Sequence, residues 1–233
     1  IPSSSSHALI GGLIGATIAY TQSTQDILWS NFTVKIIVPL FTSPLIGFGV
    51  GFLLMTSIFK VFSNWSQSKV NKTFLRAQIF SAALVAYSHG NNDAQKTMGI
   101  ITLALISGGM LSPDHGVPLW VKITCAACMA VGTSVGGWKI MKTMGGSVTK
   151  LQPASGFSAQ TSAALVIELM SFLGAPVSTT QVITTSIMGA GTAKRASAVK
   201  WGIARSIVVA WVVTLPITMM LGGLTVMAIE LIT

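Results

Sequence analysis

Seven apolar stretches alternate with polar connectors along the chain. Ala8–Tyr20, with 13 apolar or small residues, is short for a bilayer-crossing helix, which needs about 20. Phe32–Phe62 is long enough to cross once, and Pro39 and Pro44 are predicted to kink it. Ile79–Met110 and Trp120–Met141 read as two further crossings joined by the turn SPDHGVP, and Trp201–Ile229 as the last. Phe157–Leu173 and Val177–Gly191 are short arms joined through GAPVSTTQ. They are predicted to form a re-entrant hairpin with its tip near the midplane.

The segment Tyr87–Gly99, YSHGNNDAQKTMG, interrupts the third stretch. Asn91, Asn92, Asp93, Gln95 and Lys96 fall within six positions where a spanning helix is ordinarily apolar. Each charge there costs about 2.5–3.5 kcal/mol on insertion scales, so the default reading is a functional site. Gly90 and Gly99 flank the cluster and predict a helix that breaks at mid-membrane and opens its backbone to a polar cavity. The competing reading is a solvated loop between two short helices, but no turn residues or charge runs surround the motif.

Composition narrows the class. Of the residues, 51% are hydrophobic and 8% charged, against about 25% charged in soluble domains, and mean hydropathy is +0.73. This is an integral membrane protein, and its 23 glycines suit close helix packing in lipid. A net charge of +9 need not mean nucleic acid as a partner, because Lys and Arg also set topology. Cys125 and Cys128 form a CxxC with no second pair or nearby His; they are expected to be buried, inert thiols rather than a metal site. The opening IPSSSSH has no charged n-region or cleavage site, so it is not a signal peptide. The chain reads as starting within a larger protein.

Eleven of the fourteen basic residues fall in segments 60–76, 139–150 and 194–205, where no acid occurs. The positive-inside rule places all three in the cytoplasm and the C-terminus outside. The arms at 157–191 must then start and finish inside, which is the basis for the hairpin.

Pro2-Ser3-Ser4-Ser5-Ser6-His7 aligns with Pro176-Val177-Ser178-Thr179-Thr180-Gln181, and Gly15-Ala16 with Gly189-Ala190 at the same offset. Pro44 and Gly51 match Pro216 and Gly223 after a two-residue shift. The first copy leads to an outside loop and the second to an inside one, as in inverted-repeat transporters. Pro176 suits the first turn of a helix. Ser178, Thr179 and Thr180 therefore lie at or near a helix start, where free N–H groups and hydroxyls favour an anion. Ser3–Ser6 can do the same from the other copy, with His7 as a titratable donor. Ordinary capping and helix packing is the competing role for each hydroxyl.

HGNNDAQKTMG resembles the GxND motif of the PiT inorganic phosphate transporters, and PSSSSH and PVSTTQ resemble that family's paired P-[VI]-S-[ST]-[ST]-[HQ] motifs. The resemblance covers essentially the whole chain. It implies an all-α inverted-repeat transporter with broken helices and re-entrant hairpins in the cell membrane, carrying phosphate, or a metal–phosphate complex, with a proton or sodium. No cofactor is implied, and a homodimer is compatible with it. Residues 1–59 would end the first repeat, 60–78 form a cytoplasmic basic linker, and 79–233 form the second repeat. Ser4, Ser5, Ser6, Ser178, Thr179 and Thr180 would line the phosphate site with Asn92 and Lys96. Asp93 and Asn92 would serve the coupling ion or proton, with Gln95, His7 and Gln181 beside them.

The sequence departs from the family pattern in two ways. The family carries a GxND motif in each half, and this chain starts after the first would occur. Many members have Asn in place of Lys96 and Glu in place of Gln160. Lys96 lies three residues after Asp93, on the same helical face. Its ammonium would take the electrostatic role of a bound sodium, which points to a proton as the coupling ion. An aspartyl protease needs paired carboxylates, and Asp93 has no evident partner acid. An anion channel would need a ring of like groups. A truncated phosphate-binding membrane protein without transport activity is the remaining alternative.

Overall fold

The computed structural model describes residues 4–142, 148–175 and 177–232, except the side chains of residues 139 and 140. Among the described residues the chain is helical, with no strand. In order the helices are α1 (Ser5–Thr21), α2 (Trp29–Val61), α3 (Gln67–Ser107), α4 (Leu119–Lys142), α5 (Pro153–Phe172), α6 (Thr179–Lys194) and α7 (Trp201–Glu230). Three segments, Trp29–Val61, Leu119–Trp138 and Trp201–Glu230, are long and apolar enough to cross a membrane. Large apolar side chains such as Leu45, Leu53, Val135 and Met220 point outward from them. A surface of that kind is stable against lipid and not against water.

Both prolines lie within α2. A π-helical turn, Thr33–Ile37, lies directly before Pro39, and Pro44 sits inside the helix that follows. The wider turn accommodates a proline that can neither donate a hydrogen bond nor fit against the preceding turn.

The expected break in the third stretch does not occur. α3 runs unbroken for 41 residues, about 60 Å at the usual rise. Gly90 and Gly99 keep negative φ; the described glycines with positive φ are Gly109, Gly116 and Gly174. The polar cluster satisfies itself through side chains. Gln95 Nε2 donates to Asn91 Oδ1 at 3.0 Å, one turn back, and Lys96 Nζ reaches Asp93 Oδ1 at 2.7 Å. Asn92 and Lys96 also reach the Val177 carbonyl, and Lys96 reaches Ser6, so these groups are satisfied without the backbone opening.

α5 and α6 pack against each other as a helical hairpin. Gly174, at φ 67°, turns the chain between them. Ala175 N donates to Met170 O and Gly174 N to Ser171 O, both at 3.0 Å, which is the glycine-terminated end that satisfies a helix's last carbonyls. Pro176, expected in the first turn of α6, lies outside the described residues, as do Pro2 and Ser3 of the first copy.

The three basic segments meet at one end of the molecule. Phe62, Phe74 and Phe157 stack in sequence with ring centroids 5.3 Å apart, tying the end of α2 to the starts of α3 and α5. Lys200 N donates to Val148 O at 3.0 Å. Beneath them Met55, Ile58, Val199, Ala204 and Trp211 share one apolar cluster. Part of the basic segment 139–150, including the Lys139 side chain, lies outside the described residues.

α1 packs on α7, and α6 packs on α2. In both pairs the contacts advance in the same chain sense, Gly11 with Thr218 then Gly15 with Met219, and Gly47 with Thr185 then Phe48 with Gly189. Because α2 ends and α7 begins at the basic end, α1 and α6 run in opposite directions. Both contacts need glycine. A Cβ at Gly15 would fall on the Met219 carbonyl, and one at Gly189 on the Phe48 carbonyl, whereas Gly12 has open space around it. Gly15→Ala and Gly189→Ala should each destabilise the protein by about 1–3 kcal/mol, while Gly12→Ala should be neutral or better. Melting temperatures of the detergent-purified variants check this; equal melting for all three would show that the close approaches are not needed.

Candidate functional site

The two Ser/Thr motifs fold alike. Ser4 caps α1 by accepting from His7 N at 3.2 Å, and Ser178 caps α6 by accepting from Gln181 N at 3.4 Å. Both cap residues are extended, at φ −97° ψ 109° and φ −84° ψ 105°, as capping requires. These two hydroxyls therefore hold their own helices, which was the competing role for them. Residues 5 and 6 and residues 179 and 180 occupy the first turn of each helix, where N–H groups have no intrahelical acceptor.

The two helix starts come together over the middle of α3. Lys96 Nζ donates to Ser6 Oγ at 2.6 Å, to Asp93 Oδ1 at 2.7 Å and to Val177 O at 3.0 Å. Three contacts use every N–H of an ammonium. The Val177 carbonyl also accepts from Ser6 Oγ and from Asn92 Nδ2, both at 3.2 Å. Thr179 Oγ1 donates to Asp93 Oδ2 at 3.3 Å, and His89 Nδ1 lies 3.5 Å from the same oxygen. The side chains of Asp93 and Lys96 are only 12% and 13% exposed, so each depends on the other to offset lost hydration.

His7 and Gln181, which occupy matching positions in the two motifs, are both buried, and His7 Nδ1 and Gln181 Oε1 have no partner. Thus Ser4, Ser6, His7, Asn92, Asp93, Lys96, Ser178, Thr179 and Gln181 lie at this junction. Ser5 is exposed and Gln95 points outward to Asn91, so neither joins it; Thr180 is half-buried and its hydroxyl makes no hydrogen bond to the cluster. The helix periodicity explains this, since a step of about 100° per residue turns Ser5 away from Ser6 and Gln95 away from Lys96. Gln160 lies elsewhere and accepts from Ser81 Oγ at 2.6 Å, linking α5 to α3.

Two participants are not among the expected site residues. His89 stands four residues before Asp93, a helical spacing that was legible in the motif. The Val177 carbonyl is backbone and left no signal in side-chain chemistry. Asp93 also borders a cavity of about 190 Å³ between α3 and α4, with Thr97, Thr124, Cys125, Cys128 and Met129. Both cysteines are free thiols; Cys125 is buried as expected, but Cys128, which shares its face of α4 and lines the same cavity, is exposed. Among the described residues no three His, Cys, Asp or Glu side chains gather as metal ligands.

The junction is rich in donors: one ammonium, the Ser6 and Thr179 hydroxyls, an amide and two helix starts face a single carboxylate. Such a set suits an oxyanion travelling with a neutralising charge. An all-helical membrane protein with a buried polar junction at the meeting of two helix starts is the class that fold and site define. The chain belongs to the phosphate transporter family, whose profile matches residues 1–69 and 59–222. This is a family of transporters, not of enzymes.

A protein of Bacillus subtilis (strain 168) and one of Rhizobium meliloti (strain 1021), each named a probable low-affinity inorganic phosphate transporter, are 45% and 47% identical over 232 residues. The match takes in 100% of this chain and 69% of each relative. A solved structure described as the sodium-dependent phosphate transporter shares the fold at a TM-score of 0.64 and 21% identity. There the match covers 98% of this chain and 65% of the other.

The buried pair sets a stability test. Lys96→Met leaves the Asp93 carboxylate without its cation and should cost about 3–5 kcal/mol. Adding Asp93→Asn should recover part of that loss. Thermal melting of both single variants and the double variant gives the coupling; simple additivity would show that the two charges do not depend on each other.

Proposed function

We propose that this chain forms part of a transporter that moves inorganic phosphate across the cell membrane by symport with a proton. The single observation that carries this reading is the Lys96 ammonium, held by Asp93, Ser6 and the Val177 carbonyl at 2.6–3.0 Å. A permanent cation tethered beside the carboxylate fills the role that a mobile sodium would otherwise play. Phosphate would enter by displacing Ser6 and Val177 from the ammonium, and would gain the first-turn N–H groups of α1 and α6 and the Thr179 hydroxyl. Asp93, released from Lys96, or the unpartnered His7 would then take the proton.

The opposed directions of α1 and α6 and their matching caps support two inverted repeats, ending at 59 and beginning at 79, around a cytoplasmic linker at 60–78. On this reading the α5–α6 hairpin is re-entrant, the basic end is cytoplasmic and the C-terminus lies outside. The printed names of the relatives, which speak of inorganic phosphate, support the substrate.

Proteoliposomes of the complete transporter decide the coupling ion. An acid-outside pH gradient without sodium should drive uptake, and an inward sodium gradient at fixed pH should not. The opposite result would overturn proton coupling while leaving phosphate as the substrate.

Two variants test the site itself. Thr179→Val removes one hydrogen bond to a charged ligand, worth about 1.5–3 kcal/mol, so apparent affinity for phosphate should fall on the order of tenfold or more. Asp93→Asn should abolish uphill accumulation while the protein still folds and inserts. Normal affinity in the first and normal accumulation in the second would rule out this junction as the transport site.

A further inference from the structure

The first turns of α3 carry a second concentration of charge, far from the junction. Lys69, Lys72, Thr73 and Arg76 recur at helical spacing on one face, all four are exposed, and together they line a concavity of about 260 Å³. No acid lies between residues 27 and 92 of the chain. Both ion pairs found among the described residues involve Asp93, so the stripe is not neutralised from within.

Its position along the helix is informative. From Lys69 to Arg76 the helix rises about 10 Å, enough to span the headgroup layer of one leaflet. Leu75 stands just before Arg76, and Ile79 and Phe80 come just beyond it; they are 61%, 74% and 68% exposed and need hydrocarbon around them. Before it stands Trp65, a residue type that favours the membrane interface, with Lys69 Nζ 4.3 Å from its ring centroid. Charge and apolar surface thus follow one another in the order of a phospholipid, headgroup first and acyl chain next. A free phosphate ion would use the lysines and arginine but gain nothing from Leu75, Ile79 or Phe80. Lys150, Lys194, Arg195 and Lys200, gathered at the same end and exposed, strengthen the positive field.

We infer that the stripe Lys69, Lys72, Thr73 and Arg76 binds the phosphodiester headgroup of an anionic phospholipid, with the acyl chains lying along Leu75, Ile79 and Phe80. The site is separate from the transport junction, and it fixes how deep α3 sits in the bilayer. Each basic residue near an anionic lipid surface contributes about fivefold in binding, so three together give on the order of a hundredfold.

The test uses the complete transporter in phosphatidylcholine nanodiscs, titrated with brominated phosphatidylglycerol or brominated phosphatidylcholine. Quenching specific to Trp65 is obtained by subtracting the signal of Trp65→Phe. Wild type should be quenched by the brominated phosphatidylglycerol at far lower mole fraction than by the neutral lipid. The combined variant Lys69→Gln, Lys72→Gln, Arg76→Gln should lose that preference. The charge-keeping set Lys69→Arg, Lys72→Arg, Arg76→Lys should retain it, which separates lost charge from lost fold. Equal quenching by the two lipids in wild type, or an unchanged preference in the glutamine variant, would overturn the proposal. Release of the quenching by excess inorganic phosphate would overturn it too, by showing a site for free anion rather than lipid.

Discussion

An ammonium buried among packed helices must be surrounded by acceptors, and that demand orders the rest of this structure. α3 supplies only one, Asp93, from its own turn. The others come from Ser6 at the start of α1 and from the carbonyl of Val177, just before α6. Two separate helix starts are thereby pinned to the same point on a third helix. The long helix stays intact because its polar side chains are satisfied from outside; a break would only have added unpaired backbone to the polar groups needing partners.

The helices that carry those starts are held by a different force. In lipid no hydrophobic effect draws one helix to another, so close van der Waals packing and short hydroxyl contacts must serve. Gly15 lies against Met219 and Gly189 against Phe48. Ser186 Oγ donates to Gly47 O at 3.2 Å and Ser158 Oγ to Gly51 O at 3.1 Å. Small residues dominate these seams because any side chain would push the backbones apart and withdraw Ser6 or Val177 from Lys96.

Much of this was legible in the sequence, for identifiable reasons. Apolar length marked three of the four expected crossings but not Ile79–Met110, whose polar residues keep it from meeting that measure; the isolated polar cluster in Tyr87–Gly99 marked the junction. The repeated motif foretold the paired helix starts, whereas the capping that Ser4 and Ser178 perform was only the competing role for those hydroxyls. The continuity of α3 was not legible, because Gly90 and Gly99 are compatible with both a break and a straight helix, and the choice depends on partners distant in sequence. Nor was the sorting of neighbours such as Ser5 from Ser6 or Gln95 from Lys96, which follows from helix rotation. The Val177 carbonyl could not be found by any reading of side chains.

The exchange of partners between α1, α2, α6 and α7 makes the fold a pair of crossed levers. Each helix start is fastened to the long helix that follows the other start, not to the one that follows its own. The start of α6 is thus placed by its seam with α2 and the start of α1 by its seam with α7. Lys96 stands where the two placements meet, so its contacts to Ser6 and Val177 depend on both seams at once.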